Sequence, residues 1–151
     1  MTPLSSPAAP SILLVEDDQM DVMNVQRELR KQNITVPLVH ARNGREALNL
    51  LRGENGETKI ERPGLVMLDL NMPRLNGLEL LKILREDSEF SDLNVFIMTT
   101  SDLDTDRSGA NALGVSGYII KPLTFDAFGS EGGGTVDGFS LFLDLLKLKN
   151  S

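Results

Sequence analysis

The sequence predicts an α/β fold, a doubly wound five-stranded parallel sheet with helices on both faces, on three observations. Five short apolar runs recur along the chain, segments of helical periodicity separate them, and the polar residues that could carry chemistry follow the carboxyl ends of the runs. Each run has the length of a buried strand: Ile12 to Val15, Leu38 to Ala41, Leu65 to Leu70, Val95 to Met98 and Tyr118 to Ile120. Between them, Val22, Val25 and Leu29, then Ala47, Leu48 and Leu51, then Leu78, Leu81 and Leu84 fall at helical spacing. Strands alternating with helices favour a parallel sheet, because each crossover helix must bury its apolar stripe on a sheet face.

Residues 1–10 hold Pro3, Pro7 and Pro10 among Ser, Thr and Ala and read as a flexible leader, with one domain expected over residues 11–150. The segment from Gly53 to Gly64 reads as a long exposed loop before the third strand. A fourth helix, roughly Thr105 to Leu113, contains Gly109 and a thin apolar face, which makes it the least stable of the first four.

With 40% apolar and 25% charged residues the composition is that of a globular protein. The net charge of −7 argues against nucleic acid and anionic membrane as partners, since both reward a basic face. No cysteine is present, so thiolate metal sites and thiol nucleophiles are excluded, and nothing calls for an oxidising compartment; a cytoplasmic setting is expected. No apolar run reaches the roughly 20 residues of a membrane-spanning helix.

In open parallel sheets the ligand site lies beyond the carboxyl ends of the strands. Glu16, Asp17 and Asp18 follow the first run, Asp69 lies at the end of the third, Thr99, Thr100 and Ser101 follow the fourth, and Lys121 follows the fifth. Carboxylates gathered at one edge repel each other unless a cation sits among them, and hard oxygen ligands of this kind suit Mg2+, with Mn2+ as a substitute. The plainer account is that Asp17 or Asp18 caps the helix beginning near Met20. Asp69 argues against capping as the whole story, because a carboxylate ending an apolar strand suffers desolvation for no structural gain. A strand-end lysine is ordinarily a solvated one, but Lys121 close to Asp69 would be an ion pair, and Pro122 stiffens the turn after it and makes the bond between them a candidate cis peptide. A hydroxyl one strand from Asp69 can donate to a phosphoryl oxygen while Mg2+ and Lys121 neutralise the others.

These residues, from Ile12-Leu13-Leu14-Val15-Glu16-Asp17-Asp18 to Gly117-Tyr118-Ile119-Ile120-Lys121-Pro122, resemble the receiver domains of two-component response regulators, whose sheet is of the flavodoxin-like kind. The most specific stretch is Leu68-Asp69-Leu70-Asn71-Met72-Pro73-Arg74-Leu75-Asn76-Gly77. The resemblance implies that Asp69 is the phosphoacceptor, that Asp17 ligates Mg2+ directly and Glu16 mainly through water, and that the Asn71 backbone carbonyl completes the protein ligands. It implies that Thr99, with Thr100 as a one-residue alternative, binds the phosphoryl oxygen, that Lys121 pairs with it, and that Tyr118 is the switch aromatic. Met72, Pro73, Gly77 and Pro122 would shape the loops around the site. The stretch from Arg62 to Pro73 is similar to the single-domain branch associated with phytochrome-type kinases. That likeness implies a sensor histidine kinase as partner, a downstream protein whose identity the motifs do not give, and a homodimer.

One region departs from the family pattern. Gly129-Ser130-Glu131-Gly132-Gly133-Gly134, followed by Gly138, interrupts the fifth helix, and five such glycines would cost a helix about 5 kcal/mol. A loop over 129–134 and a C-terminal helix carrying Phe139, Phe142, Leu143 and Leu146 and ending near Lys149 are expected. Such a protein is a signalling domain that assists its own phosphorylation and slowly loses the phosphate, rather than a turnover enzyme. A relay shuttle and an unphosphorylated scaffold are the alternatives. A Mg2+-dependent phosphatase of the haloacid-dehalogenase kind ranks last, because Asn71 stands where that chemistry needs a second Asp.

Overall fold

A computed structural model describes residues 11–70, 72, 76–99 and 112–121. Five strands, β1 (Ile12–Val15), β2 (Leu38–Ala41), β3 (Leu65–Asp69), β4 (Val95–Thr99) and β5 (Gly117–Ile120), and three helices, α1 (Gln19–Lys31), α2 (Gly44–Arg52) and α3 (Gly77–Glu86), lie within them. The strands form one sheet in the order β2-β1-β3-β4-β5, and every neighbouring pair is parallel. The chain starts near the middle of the sheet and winds outward both ways, so strand order reverses between β1 and β3 and leaves a crevice there.

Alternation along the strands sends successive side chains to opposite faces. Leu13, Val15, Val66, Leu68, Val95 and Ile97 pack with Ala47, Leu48 and Leu51 of α2 and Leu80, Leu81 and Leu84 of α3. Ile12, Leu14, Leu65, Met67, Phe96, Met98 and Ile119 pack on the other face with Val22, Val25 and Leu29 of α1. The expected two-faced arrangement is present, with one shift in register: Leu80 is fully buried in α3, whereas Leu78 is only half-buried against the same cluster.

Helix starts follow their caps. The Asp18 side chain accepts from the Met20 and Asp21 amides at 2.8 and 3.4 Å and begins α1, while Asn43 does the same for α2 through the Glu46 amide. Asn76 and Glu79 form a reciprocal capping box at α3. Gly53, at φ +71°, closes α2 in the left-handed conformation that glycine adopts without penalty.

The segment after α2 has no strand or helix, as expected, yet it is not a free loop. Pro63 is buried, Ile60 packs against the core, and Lys59 and Arg62 pair with Glu89 and Asp92 at 2.8 and 2.6 Å. Those pairs join two loops distant in sequence, which local composition does not reveal. The leader, Asn71, Pro73, Thr100, Ser101, Pro122, the fourth helix up to residue 111, the loop over 129–134, the C-terminal helix and any dimer face there lie outside the described residues.

Candidate metal and phosphoryl site

The carboxyl ends of β1, β3, β4 and β5 bring together most of the residues singled out above. Glu16 follows β1 and is fully buried, Asp69 ends β3 and is 2% exposed, and Thr99 ends β4, buried. Asp17 stands at the exposed rim. One carboxylate oxygen from each of Glu16, Asp17 and Asp69 lies within 4.8 Å of the others. With bonds of roughly 2.1 Å, an octahedral Mg2+ would hold neighbouring oxygens about 3.0 Å apart and opposite ones about 4.2 Å, so the three acids would close on the ion by side-chain rotation or reach it through a bridging water.

A hydrogen-bond shortage supports that fit. Glu16 Oε2 is buried and accepts no hydrogen bond, its 2.8 Å contact with Lys121 being an ion pair; Glu16 Oε1 accepts from the Asp18 amide at 3.1 Å. The backbone carbonyl of Glu16 lies 2.7 Å from His40 Nε2 on β2, which fixes the turn leaving β1. Burial, followed by proton sharing with Asp69, pushes the Glu16 carboxyl up to about 8, against a smaller lowering by the Lys121 ammonium. A second positive charge among these acids would reverse that balance and restore the carboxylate.

Lys121 supplies one positive charge. Its Nζ lies 2.8 Å from Glu16 Oε2, 2.9 Å from Asp21 Oδ2 and 3.1 Å from Asp69 Oδ2. Burial alone would lower the ammonium's pKa, but the contacts with Glu16 and Asp21 outweigh it and hold the group above its ordinary value, charged at any physiological pH. The backbone amide of Lys121 donates to the Thr99 carbonyl at 2.8 Å, which ties the two strand ends together.

Gly77 opens α3 directly beneath Asp69. A Cβ there would meet the Asp69 carbonyl oxygen at 2.3 Å and Leu70 Cα at 2.7 Å, so closeness of backbone, not a positive φ, requires glycine. Met72 is buried on the α2 and α3 side, and Tyr118 is half-buried against the same cluster. Asp21 was not among the residues singled out from sequence. As the third residue of α1 it reads as an acid favoured by the helix dipole, and only the fold shows it touching Lys121 from 100 positions away.

A parallel sheet of order 2-1-3-4-5 with an acid trio and a lysine at its switch point defines a class of phosphoryl-accepting α/β domains. The chain belongs to the response regulator receiver domain family, whose model matches residues 12–130. Response regulator Rcp1 of Synechocystis is 33% identical over 110 residues, 73% of this chain and 75% of that protein. A two-component response regulator from Legionella pneumophila superposes with TM-score 0.76 at 36% identity, covering 91% of this chain and 98% of that one. The bacteriophytochrome response regulator AtBRR gives TM-score 0.76 at 27% identity over 96% and 97% of the two chains. A solved form of Rcp1 is Mn2+-bound, TM-score 0.72 at 27% identity over 94% and 96% of the chains, in keeping with a divalent-cation site at the acid trio. The protein is a two-component response regulator of receiver type, and no helix among the described residues is long and apolar enough to cross a membrane.

Proposed function

We propose that Asp69 is the phosphoacceptor, receiving its phosphoryl group from a phosphohistidine of a sensor histidine kinase. The observation that carries this reading is the buried Asp69 carboxylate at a strand end, with Glu16 and Asp17 within 4.8 Å and the Lys121 ammonium at 3.1 Å. An Asp69 oxygen forms the new bond to phosphorus as the bond from phosphorus to the donor imidazole breaks, and the electron pair leaves with that nitrogen. Glu16, Asp17, Asp69 and the backbone carbonyl of Asn71 would hold Mg2+, or Mn2+ in its place. The bound ion supplies charge neutralisation between the acids and the incoming phosphoryl oxygens.

Lys121 pairs with one phosphoryl oxygen and the Thr99 hydroxyl donates to another. Thr99 is buried at the end of β4, one residue beyond the Met98 that pairs with Asp69, and this place on the adjoining strand end supports it for that role. Tyr118, two residues upstream on the adjoining strand, pairs in the sheet with Ile97 and is the aromatic that follows Thr99. Met72, Pro73, Gly77 and Pro122 hold the loops that keep these groups in place. Phosphorylation adds charge at a buried site and alters the surface offered to a downstream protein, so the domain acts as a binding switch that catalyses only its own modification and slowly reverses it. The likeness to a bacteriophytochrome response regulator favours a light-sensing kinase as the donor, in the cytoplasm where its ATP is found.

Acetyl phosphate with Mg2+ should add the mass of one phosphoryl group to the intact protein. The addition should be absent in Asp69→Asn and when the metal is chelated. A wild-type protein that gains no mass under saturating donor and Mg2+ contradicts the reading.

A further inference from the structure

We infer that Asp21 is a positioning residue for this site: it holds the Lys121 ammonium in the resting protein and offsets the pull of that ammonium on an incoming phosphoryl group. The inference rests on Asp69 being the phosphoacceptor. An ammonium has three protons and no acceptor, and Lys121 already faces three carboxylates, at 2.8, 2.9 and 3.1 Å. Once Asp69 is an acyl phosphate it is no longer a carboxylate, so a phosphoryl oxygen takes its place on the ammonium while Glu16 and Asp21 remain the other two partners.

Burial sets the three acids apart. The Glu16 side chain is fully buried and that of Asp69 is 3% exposed, whereas that of Asp21 is 29% exposed. Glu16 and Asp69 belong to the acid cluster that would hold the metal, so their contacts with Lys121 are part of the site itself. Asp21 lies outside that cluster, at a helix N-terminus where negative charge is favoured, and its one cation contact among the described residues is with the ammonium. Asp21 is also well placed to hold the lysine beforehand. Its amide is tied to the Asp18 cap, so the carboxylate projects from the first turn of a helix packed on the sheet.

At 2.9 Å the Asp21 charge cancels part of the attraction that Lys121 exerts on an incoming phosphoryl group. Asp21 therefore acts as a brake on phosphorylation. Asp21→Asn keeps size and removes charge, so at saturating Mg2+ it should take phosphate from acetyl phosphate about threefold faster or more. It should also bind the phosphoryl mimic beryllofluoride more tightly by a similar factor.

A second measurement uses metal-free protein and no donor: the Nζ protons of Lys121, followed by NMR, should exchange slowly in the wild type and faster in Asp21→Ala. A thermal melt establishes that each variant is folded; an unfolded Asp21→Ala leaves the comparison to Asp21→Asn, whose weaker acceptor predicts the same direction. Labelling at or below the wild-type rate in folded Asp21→Asn, or unchanged proton exchange, overturns the inference. If the wild type labels normally and the variants match it, only the brake fails. If the wild type does not label at all, the reading of Asp69 falls and the brake with it.

Discussion

At the scale of single residues, the site is a balance between buried acids and one ammonium. Glu16 shows the balance most clearly, because in metal-free protein it retains a proton up to about 8, where an exposed glutamate would lose it near 4.5. A carboxyl whose folded value is raised binds its proton more tightly in the folded state. The stability it contributes is complete below the ordinary glutamate range and is lost as pH climbs toward 8. Urea unfolding of metal-free protein at pH 5.5 and 8.5 (conditions of roughly full and partial protonation) should show the wild type losing stability relative to Glu16→Gln, on the order of 1–3 kcal/mol. Equal losses in both proteins would mean that Glu16 is not the group responsible. Gly77 sets a second constraint at this scale: Gly77→Ala drives a methyl into the Asp69 carbonyl and should cost about 1–3 kcal/mol in chemical denaturation while slowing phosphorylation. An alanine variant as stable and as active as the wild type would contradict the close approach.

At the scale of elements, five short strands and three helices follow from local rules that the sequence displays openly. The apolar runs mark the strands to within a residue, since strands buried on both faces need nearly continuous Val, Ile and Leu. Caps mark the helix starts, and the Asn76–Glu79 box matters most, because α3 begins eight residues after Asp69 and its first turn lies against that strand end. Asn76→Ala should lower stability by about 1 kcal/mol, read as a shift in urea midpoint, with Asn76→Asp recovering most of it. No shift in the alanine variant would show the box to be ornamental. What the sequence does not display is pairing between elements. Arg85 at the end of α3 donates to the carbonyls of Leu113, Gly114 and Ser91 at 2.7, 3.0 and 3.1 Å, and Arg62 spans from the loop before β3 to Asp92 and the Glu89 carbonyl. A lone arginine in the sequence carries no sign of which distant carbonyl it will meet.

At the scale of the whole molecule, the sheet order converts sequence spacing into a site. Glu16, Asp17, Asp69, Thr99 and Lys121 are spread over more than a hundred positions, and they could be gathered in advance because each follows an apolar run and parallel strands end on the same edge. Asp21 escaped because its position in a helix already accounts for an acid there, so nothing in its spacing demanded a second partner. The inward partners of Glu16 escaped for a similar reason: the contact of its carbonyl with His40 depends on β2 lying beside β1, a topological fact rather than a local one.

The central claim is that Asp69, and no other carboxylate of the cluster, becomes an acyl phosphate. Borohydride reduces an acyl phosphate to an alcohol, so protein treated with acetyl phosphate and Mg2+, then reduced and digested, records the acceptor by mass. Homoserine at position 69 is the predicted result; an unmodified Asp69, or the reduced residue at Glu16, Asp17 or Asp21, would contradict it.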